Sequence, residues 1–185
     1  MTSRDPDVID VLTADHREVE ILGDQVVATS DPEERRNLAD QLIAELVRHA
    51  VAEEMYVYPA MRDHLPNGAR AVEHDIEEHQ ELETLMKRLE SARADSAEFE
   101  SIVGNLRRVL RDHVQDEESS QFPQLRAHVP AATLVELKEM VELAKQVAPT
   151  RPHPAAPNAE LFHKLVGPGV GLVDRLRDRL SGRPS

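Results

Sequence analysis

Two copies of one short motif carry the chemistry that this sequence suggests. A histidine is followed four residues later by a glutamate at His49 and Glu53, and again at His113 and Glu117. Residues four apart lie on one face of a helix, so each pair presents an imidazole beside a carboxylate. Both groups bind transition metals, whereas thiolate ligands are excluded because the chain contains no cysteine.

The motif belongs to an internal duplication. The segment from His49 to Pro66 aligns with the segment from His113 to Pro130 at a constant offset of 64 residues, with several identical positions. An offset of 63 aligns the region around His16 with that around His79. The duplication predicts two related helical hairpins, and a site on the axis between them would be built twice from the same parts.

Amphipathic helices must position these motifs. Apolar residues recur at spacings of three and four in four segments. The segments are 6–28, the stretch from a cap at Asp31 to the Pro-Asn-Gly break at 66–68, 69–94, and 96–128. Asp5 before Pro6 is the expected first cap, and a shorter helix is expected over 131–147. The pattern predicts an all-α, up-down four-helix bundle with an additional C-terminal helix.

The composition of the 185 residues narrows the function classes. A net charge of −13 argues against a nucleic-acid partner, which needs a basic face. We expect no membrane span and no signal peptide, and therefore a cytoplasmic protein. We divide the chain into a bundle with its trailing helix over 1–148 and a Pro-rich linker with a short basic amphipathic tail over 149–185.

Four of the nine histidines and two glutamates share the predicted inward stripes. A buried carboxylate is costly to desolvate when it is unpaired, and a metal cluster removes that cost. Ligands of these types from facing helices are typical of dinuclear sites in bundles. The candidate metal ligands are His16, His49, Glu53, His79, His113 and Glu117, with no catalytic residue separate from them.

These residues resemble those of the hemerythrin-like, or HHE cation-binding, domain over roughly residues 5–130. His-xxx-Glu-Glu followed by an aromatic-Pro pair occurs twice, ending in Tyr58-Pro59 and Phe122-Pro123. The resemblance implies a non-haem diiron centre, two iron ions with an oxo or hydroxo bridge, in which the four histidines are terminal ligands. Glu53 and Glu117 would be the bridging carboxylates. From ligand type alone, zinc and manganese remain alternatives to iron.

The third helix departs from the pattern of the oxygen-carrying hemerythrins, which have HxxxH there. The position four before His79 is Asp75, and His74 is one step off, about 100° around the helix. Asp75 could supply a carboxylate, His74 could reach in through a local distortion, or a solvent or Tyr oxygen could take the place. Tyr56 lies on the face of Glu53, although we favour a core aromatic for it.

Other polar residues are not assigned to the centre. His64 and His128 fall about 22 Å along a helix from the motif histidines and suit helix C-termini. Glu54 and Glu118 point outward or accept hydrogen bonds from the ligand imidazoles. The acidic run over 77–83 is expected to be a solvated face, and His153 and His163 belong to the tail.

The resemblance and the ligand set together predict a non-haem iron protein that handles O₂, peroxide or a related small oxidant, with peroxide-decomposing or oxidase-type activity. The expected partner is a small molecule: O₂, peroxide or NO. One alternative is a non-catalytic module that senses O₂, NO or iron and signals through its C-terminal tail. A metal-buffering or purely structural bundle is the third reading.

Overall fold

The computed structural model describes residues 4–148, 150 and 151, and the predicted domain division and tail at 149–185 therefore lie almost wholly outside the described residues. Every regular element in the described part is helical. In chain order the elements are α1 (Val8–Ala28), α2 (Pro32–Ala52), the π-helical turn π1 (Glu53–Val57), α3 (Tyr58–His64), α4 (Gly68–Ser91), α5 (Ala97–Asp116), the π-helical turn π2 (Glu117–Gln121), α6 (Phe122–His128) and α7 (Ala131–Val147).

Four arms form the bundle, and the predicted all-α fold class is confirmed. The arms are α1, α2 continued by π1 and α3, α4, and α5 continued by π2 and α6. Within each hairpin the arms pack together, α1 on α2 and α4 on α5, and α1 also contacts α5. The additional helix α7 packs across α1, α2 and π1 and so covers one face of the bundle.

The first helix begins two residues later than the sequence pattern predicts. Asp7, and not Asp5, is the cap: its side chain accepts from the backbone N–H of Ile9 and Asp10, while the Asp10 carboxylate accepts from the Asp7 N–H. This reciprocal capping box satisfies free N–H groups of the first turn, which the Asp5-Pro6 pair alone does not do. The second cap is confirmed, since Asp31 accepts from the Glu34 N–H at 2.8 Å.

Two π-helical turns interrupt what the sequence pattern predicts as continuous helices. The backbone N–H of Tyr58 bonds to the Glu53 carbonyl, five residues back, and Phe122 bonds to Glu117 in the same way. Each turn directly precedes an aromatic-Pro pair, and the missing N–H of that proline disturbs the α-helical ladder. Such single π-turns often mark functional sites.

The wider turn changes which residues share a face. In a π-helical turn, the residue five positions after Glu53 lies on the same side of the helix as Glu53. Tyr58 therefore takes the inward position that a regular α-helix would give to Tyr56. The same holds for Phe122 after Glu117. The motif glutamates therefore sit at the first residue of each π-turn.

Two apolar clusters fill the bundle and leave a polar layer between them. The first joins the second halves of α1 and α4 to the middle of α2 and most of α5, and includes Leu42, Leu89 and Phe99. The second includes Leu12 and Leu125 and extends under α7. The duplicated motifs lie between these clusters.

The loop after α3 needs a glycine. A Cβ at Gly68 would lie 1.9 Å from the Met61 carbonyl oxygen, so no other residue fits without a backbone shift. This close approach lets the Pro-Asn-Gly break turn the chain directly into α4. Among the described helices, none has an apolar stretch of the length needed to cross a membrane.

Candidate metal centre

The six residues predicted from the motifs come together in the polar layer. Glu53 Oε2 lies 3.2 Å from His49 Nε2 and 3.5 Å from His79 Nε2. Glu53 therefore meets one imidazole from its own hairpin and one from the other hairpin. All three side chains are buried.

The second glutamate repeats this arrangement. Glu117 Oε2 lies 3.1 Å from His16 Nε2 and 3.6 Å from His113 Nε2. Again one imidazole comes from each hairpin. A carboxylate between imidazoles of both halves is placed as a bridging ligand would be.

The donor atoms fall into two adjoining groups. One consists of His16, His49, Glu53 and Glu117, the other of Glu53, His79 and His113, and within each group the ligand atoms lie within 4.8 Å of one another. Because Glu53 belongs to both groups, two cations held here would be neighbours. This geometry matches a dinuclear site.

The inward atoms of the cluster lack hydrogen-bond partners, which is the strongest sign that these residues fit a metal. Within the described part of the chain, Nε2 of His16, His49 and His113, both oxygens of Glu53 and Oε2 of Glu117 are buried and make no hydrogen bond. The ring nitrogens and carboxylate oxygens are close but lack hydrogen-bond geometry. Each such atom costs about 1–3 kcal/mol unless something binds it, and a cation would satisfy all of them.

Acids outside the cluster orient two of the imidazoles through the other ring nitrogen. His16 Nδ1 lies 2.8 Å from Glu118 Oε1, and His79 Nδ1 lies 3.1 Å from Glu54 Oε1. Of the two roles that the sequence leaves open for these glutamates, the structure places them as acceptors for the imidazoles. A proton held on Nδ1 leaves the Nε2 lone pair facing inward, as a metal ligand requires.

The remaining two imidazoles have acceptors that sequence reasoning missed. His113 Nδ1 lies 2.8 Å from Glu78 Oε2, and His49 Nδ1 lies 3.4 Å from Asp15 Oδ2. The predicted solvated face is therefore wrong for Glu78, and it is also wrong for Glu83, which is buried. A signal was present in the sequence, because Asp15 and Glu78 each directly precede a motif histidine and align with each other in the duplication.

The metal-free cluster holds protons where a metal would bind. Burial lowers the pKa of His49, but the charge of Glu53 and the hydrogen bond to Asp15 outweigh it and raise this pKa to about 10. Burial likewise lowers the pKa of His79, and the adjacent carboxylates of Glu53 and Glu54 outweigh it and raise this pKa to about 10. Burial raises the pKa of Glu53, yet its two imidazole neighbours hold it well below the usual value.

One aromatic hydroxyl reaches the centre. The hydroxyl of Tyr58 lies 3.2 Å from His79 Nε2 and is buried. Its counterpart Phe122 has no hydroxyl and stacks on His16 with ring centroids 5.7 Å apart. Tyr56, the residue named from the sequence, packs against the second apolar cluster.

The third helix brings Asp75 towards the centre and keeps His74 away. Asp75 is fully buried, accepts a hydrogen bond from Gln121 Nε2 at 2.7 Å, and forms a third group of ligand atoms with Glu78 and His113. Burial raises the pKa of Asp75 to about 7, against the hydrogen bond from Gln121. The His74 side chain is 55% exposed and faces Glu78 at 3.6 Å.

The other histidines stay outside the cluster or outside the described residues. His64 and His128 are exposed at the ends of α3 and α6, and His128 Nδ1 lies 3.0 Å from the Gln124 carbonyl oxygen. His153 and His163 fall in the part of the chain that the structure does not describe.

The fold and the duplicated centre define a helical-bundle protein with a candidate cation site, and comparison with known families identifies the family. Residues 7–125 match the sequence model of the hemerythrin HHE cation binding domain, and the chain belongs to this family. The resemblance found in the sequence is thereby confirmed.

Individual relatives cover the chain to different extents. An uncharacterized hemerythrin-like protein of Schizosaccharomyces pombe is 28% identical over 96% of this chain and 88% of its own length. A DNA nickase of Nostoc is 30% identical over 66% of this chain, and the match spans 34% of that protein. The crystal structure of a hemerythrin HHE cation binding domain-containing protein from Mycobacterium kansasii has the same fold, with a TM-score of 0.67, 23% identity, and coverage of 91% of this chain and 98% of that one.

Proposed function

We propose that this chain is a non-haem diiron protein that handles O₂, peroxide or a related small oxidant at the duplicated centre. Two adjoining groups of imidazole and carboxylate donors, with no cysteine in the chain, favour a carboxylate-bridged diiron pair. Bound iron supplies Lewis acidity and redox electrons for such chemistry. The observation that carries the proposal is the set of buried, inward-facing donor atoms without hydrogen-bond partners in the described residues.

The residues of the chain divide the work around such a pair. The four imidazoles and two glutamates hold the cations, and the acids at Nδ1 fix which ring nitrogen is free to bind. The two apolar clusters exclude bulk water from above and below the layer. Only a small reactant fits into this enclosure.

Tyr58 distinguishes one end of the centre from the other. Burial, together with the negative charges of Glu53 and Glu117, raises the pKa of Tyr58 well above its usual value, so the hydroxyl keeps its proton at neutral pH. It can therefore donate a hydrogen bond to a small oxidant at the centre. The equivalent Phe122 cannot, so we expect a polar oxidant to be oriented by the Tyr58 end.

Peroxide decomposition tests this proposal. The iron-loaded chain is expected to evolve O₂ from hydrogen peroxide under steady-state conditions, and Tyr58→Phe is expected to slow the reaction about tenfold or more without changing the iron content. Phe122→Leu, the matched change at the equivalent position, should affect the rate less. Reversible O₂ binding by the reduced protein without peroxide turnover would contradict the peroxide chemistry, and a reduced iron-loaded protein that neither binds O₂ nor turns over peroxide would contradict the proposal as a whole.

The proposed sensing alternative depends on the C-terminal tail, which lies outside the described residues. Deleting residues 149–185 separates the two readings. A diiron protein acting on an oxidant keeps its peroxide chemistry after the deletion, whereas a sensor keeps its centre but loses its effect on a partner.

A further inference from the structure

An open polar cleft of about 590 Å³ lies beside the second hairpin, between α4 and the α5–π2–α6 arm. The carboxylates of Glu73, Glu77 and Asp116 line it, together with the guanidinium of Arg70 and the imidazole of His74. The lining is therefore acidic on balance. A cleft of one sign raises the local concentration of oppositely charged ions and speeds their capture.

Gln121 forms the inner wall of this cleft and connects it with the centre. It is only 3% exposed, and its Nε2 donates to Asp75 Oδ1 at 2.7 Å. Neither Gln121 Oε1 nor Asp75 Oδ2 has a hydrogen-bond partner among the described residues, although both atoms are buried. The wall between cleft and centre thus contains two unpartnered oxygen ligands of the kind that divalent cations accept.

Asp75 also belongs to a group of donors that leads directly into the centre. Its carboxylate, that of Glu78 and a nitrogen of His113 lie within 4.8 Å of one another. His113 is at the same time a member of the group formed with Glu53 and His79. The outer and inner groups therefore share His113 and lie directly beside each other.

Two other approaches to the centre are apolar. Towards the first apolar cluster, leucine and methionine side chains pack against the imidazoles and leave a void of about 10 Å³, about the space of one water molecule. Towards α7, the positions equivalent to Asp75 and Gln121 are Leu12 and Val57, which are buried in the second apolar cluster. A hydrated cation loses its water ligands on either path without gaining replacements.

We propose that divalent transition-metal cations enter the centre from this cleft, and that Asp75, Glu78 and His113 form a transit site that passes them to Glu53 and His79. The proposal rests on the metal centre of the proposed function. It assigns Asp75 a role in loading rather than a place among the resident ligands.

The rate of Co²⁺ uptake by the metal-free, full-length chain tests the route, with the ligand-field absorption of bound Co²⁺ as the signal. Asp75→Asn keeps the shape of the side chain and removes its charge. This variant is expected to take up Co²⁺ at least about tenfold more slowly than the wild type. Its final content should still reach two Co²⁺ per chain, since the inner ligands are intact.

A second variant tests the cleft without touching the buried layer. The double change Glu73→Gln/Glu77→Gln, on the exposed rim, is expected to slow uptake about twofold to fivefold at low ionic strength and to lose this effect at high salt. Glu33→Gln/Glu34→Gln removes the same charge from the exposed start of α2, at the far end of that helix. This control should take up Co²⁺ at the wild-type rate.

Four results would overturn the route. If Asp75→Asn takes up Co²⁺ at the wild-type rate, Asp75 has no transit role. If both double variants slow uptake equally, the effect comes from the net charge and not from the cleft. A final content below two Co²⁺ in Asp75→Asn would make Asp75 a resident ligand. If the wild-type chain binds no Co²⁺ at all, both the metal centre and the route are wrong. The other results overturn the route and leave the metal centre in place, so the two failures can be distinguished.

Discussion

The two faces of the centre come from one duplicated sequence and share their ligands, but they differ in the layer that lies outside those ligands. On the first face, Leu12 and Val57 are buried beneath α7. On the second, the aligned residues are Asp75 and Gln121, which are polar and lie behind an open cleft. The duplication has kept the residues that can hold metal and changed the layer that decides what reaches it.

The two faces also share the acids that contact the outer nitrogens of two ligand imidazoles. His49 and His113 each meet an acid from the first helix of their own hairpin, Asp15 and Glu78 respectively. The difference begins at the next neighbour, since Asp15 is paired with Lys145 of α7. On the open face, the exposed imidazole of His74 lies 3.6 Å from Glu78, and no lysine pairs with Glu78 in the described part of the chain.

The largest expected effect comes from the glutamates that both halves share. Glu53→Gln and Glu117→Gln should each reduce the metal content from two ions per chain to below one, because each carboxylate lies between imidazoles of both hairpins. Elemental analysis of the purified variants measures this. Glu142→Gln, at an exposed pair on α7, is the control and should retain two. Two ions in either motif variant would contradict the bridging role.

Loss of a terminal ligand should have a smaller effect that is equal in the two halves. His49→Ala and His113→Ala are each expected to keep about one ion per chain, since each leaves the donors around the other cation in place. His64→Ala, at an exposed helix end, should keep both ions. If both motif variants still bind two ions by elemental analysis, the ligand assignment is wrong.

The pH dependence should differ between the metal-free and the metal-bound protein. In the metal-free protein the pKa values of His49 and His79 are raised from about 6.5 to about 10, so their protonation stabilises the fold fully below about pH 6.5. This contribution is lost as the pH rises from about 6.5 to about 10. Urea unfolding at several pH values should show that decline.

Bound metal should reverse this dependence. The cations take the place of the protons, so metal binding should release protons at neutral pH, and acidification should release the metal. The alkaline decline in stability should then be absent from the loaded protein. A metal-free protein whose stability rises between pH 7 and 10 would contradict the charge arrangement described for the cluster.

The smallest expected effect concerns the covered face. Lys145→Ala removes the partly buried partner of Asp15 and should lower the free energy of unfolding by about 1–3 kcal/mol. Lys138→Ala, on the same helix, breaks an exposed pair with Glu142 and should change it by about 0.5 kcal/mol or less. Urea denaturation compares the two variants, and equal effects would show that α7 gives the centre no specific support.

The sequence pattern is sufficient to predict the bundle and to select six residues that the structure brings together, because both depend on short-range spacing. His49 and Glu53 are one turn apart on a regular helix, and the duplication repeats that turn at His113 and Glu117. Whatever depends on the π-turns could not be obtained from an α-helical period. Tyr58 was missed for this reason, because the period selects Tyr56.

The outer layer was harder to predict because its contacts join different helices. Gln121 and Asp75 are 46 residues apart, and their hydrogen bond depends on how α4 packs beside π2. Glu78 reads as one acid in a charged run until the structure shows its carboxylate beside His113. Among the residues outside the inner ligands, the sequence indicates Asp15 and Glu78, because they occupy equivalent positions in the duplication.

The metal content and the ultraviolet–visible spectrum of the aerobically purified protein test the central claim most directly. A carboxylate-bridged pair at the duplicated centre predicts two iron ions per chain, with the absorption of an oxo- or hydroxo-bridged diferric site. A colourless protein that contains zinc, or a protein with a single ion per chain, would contradict it.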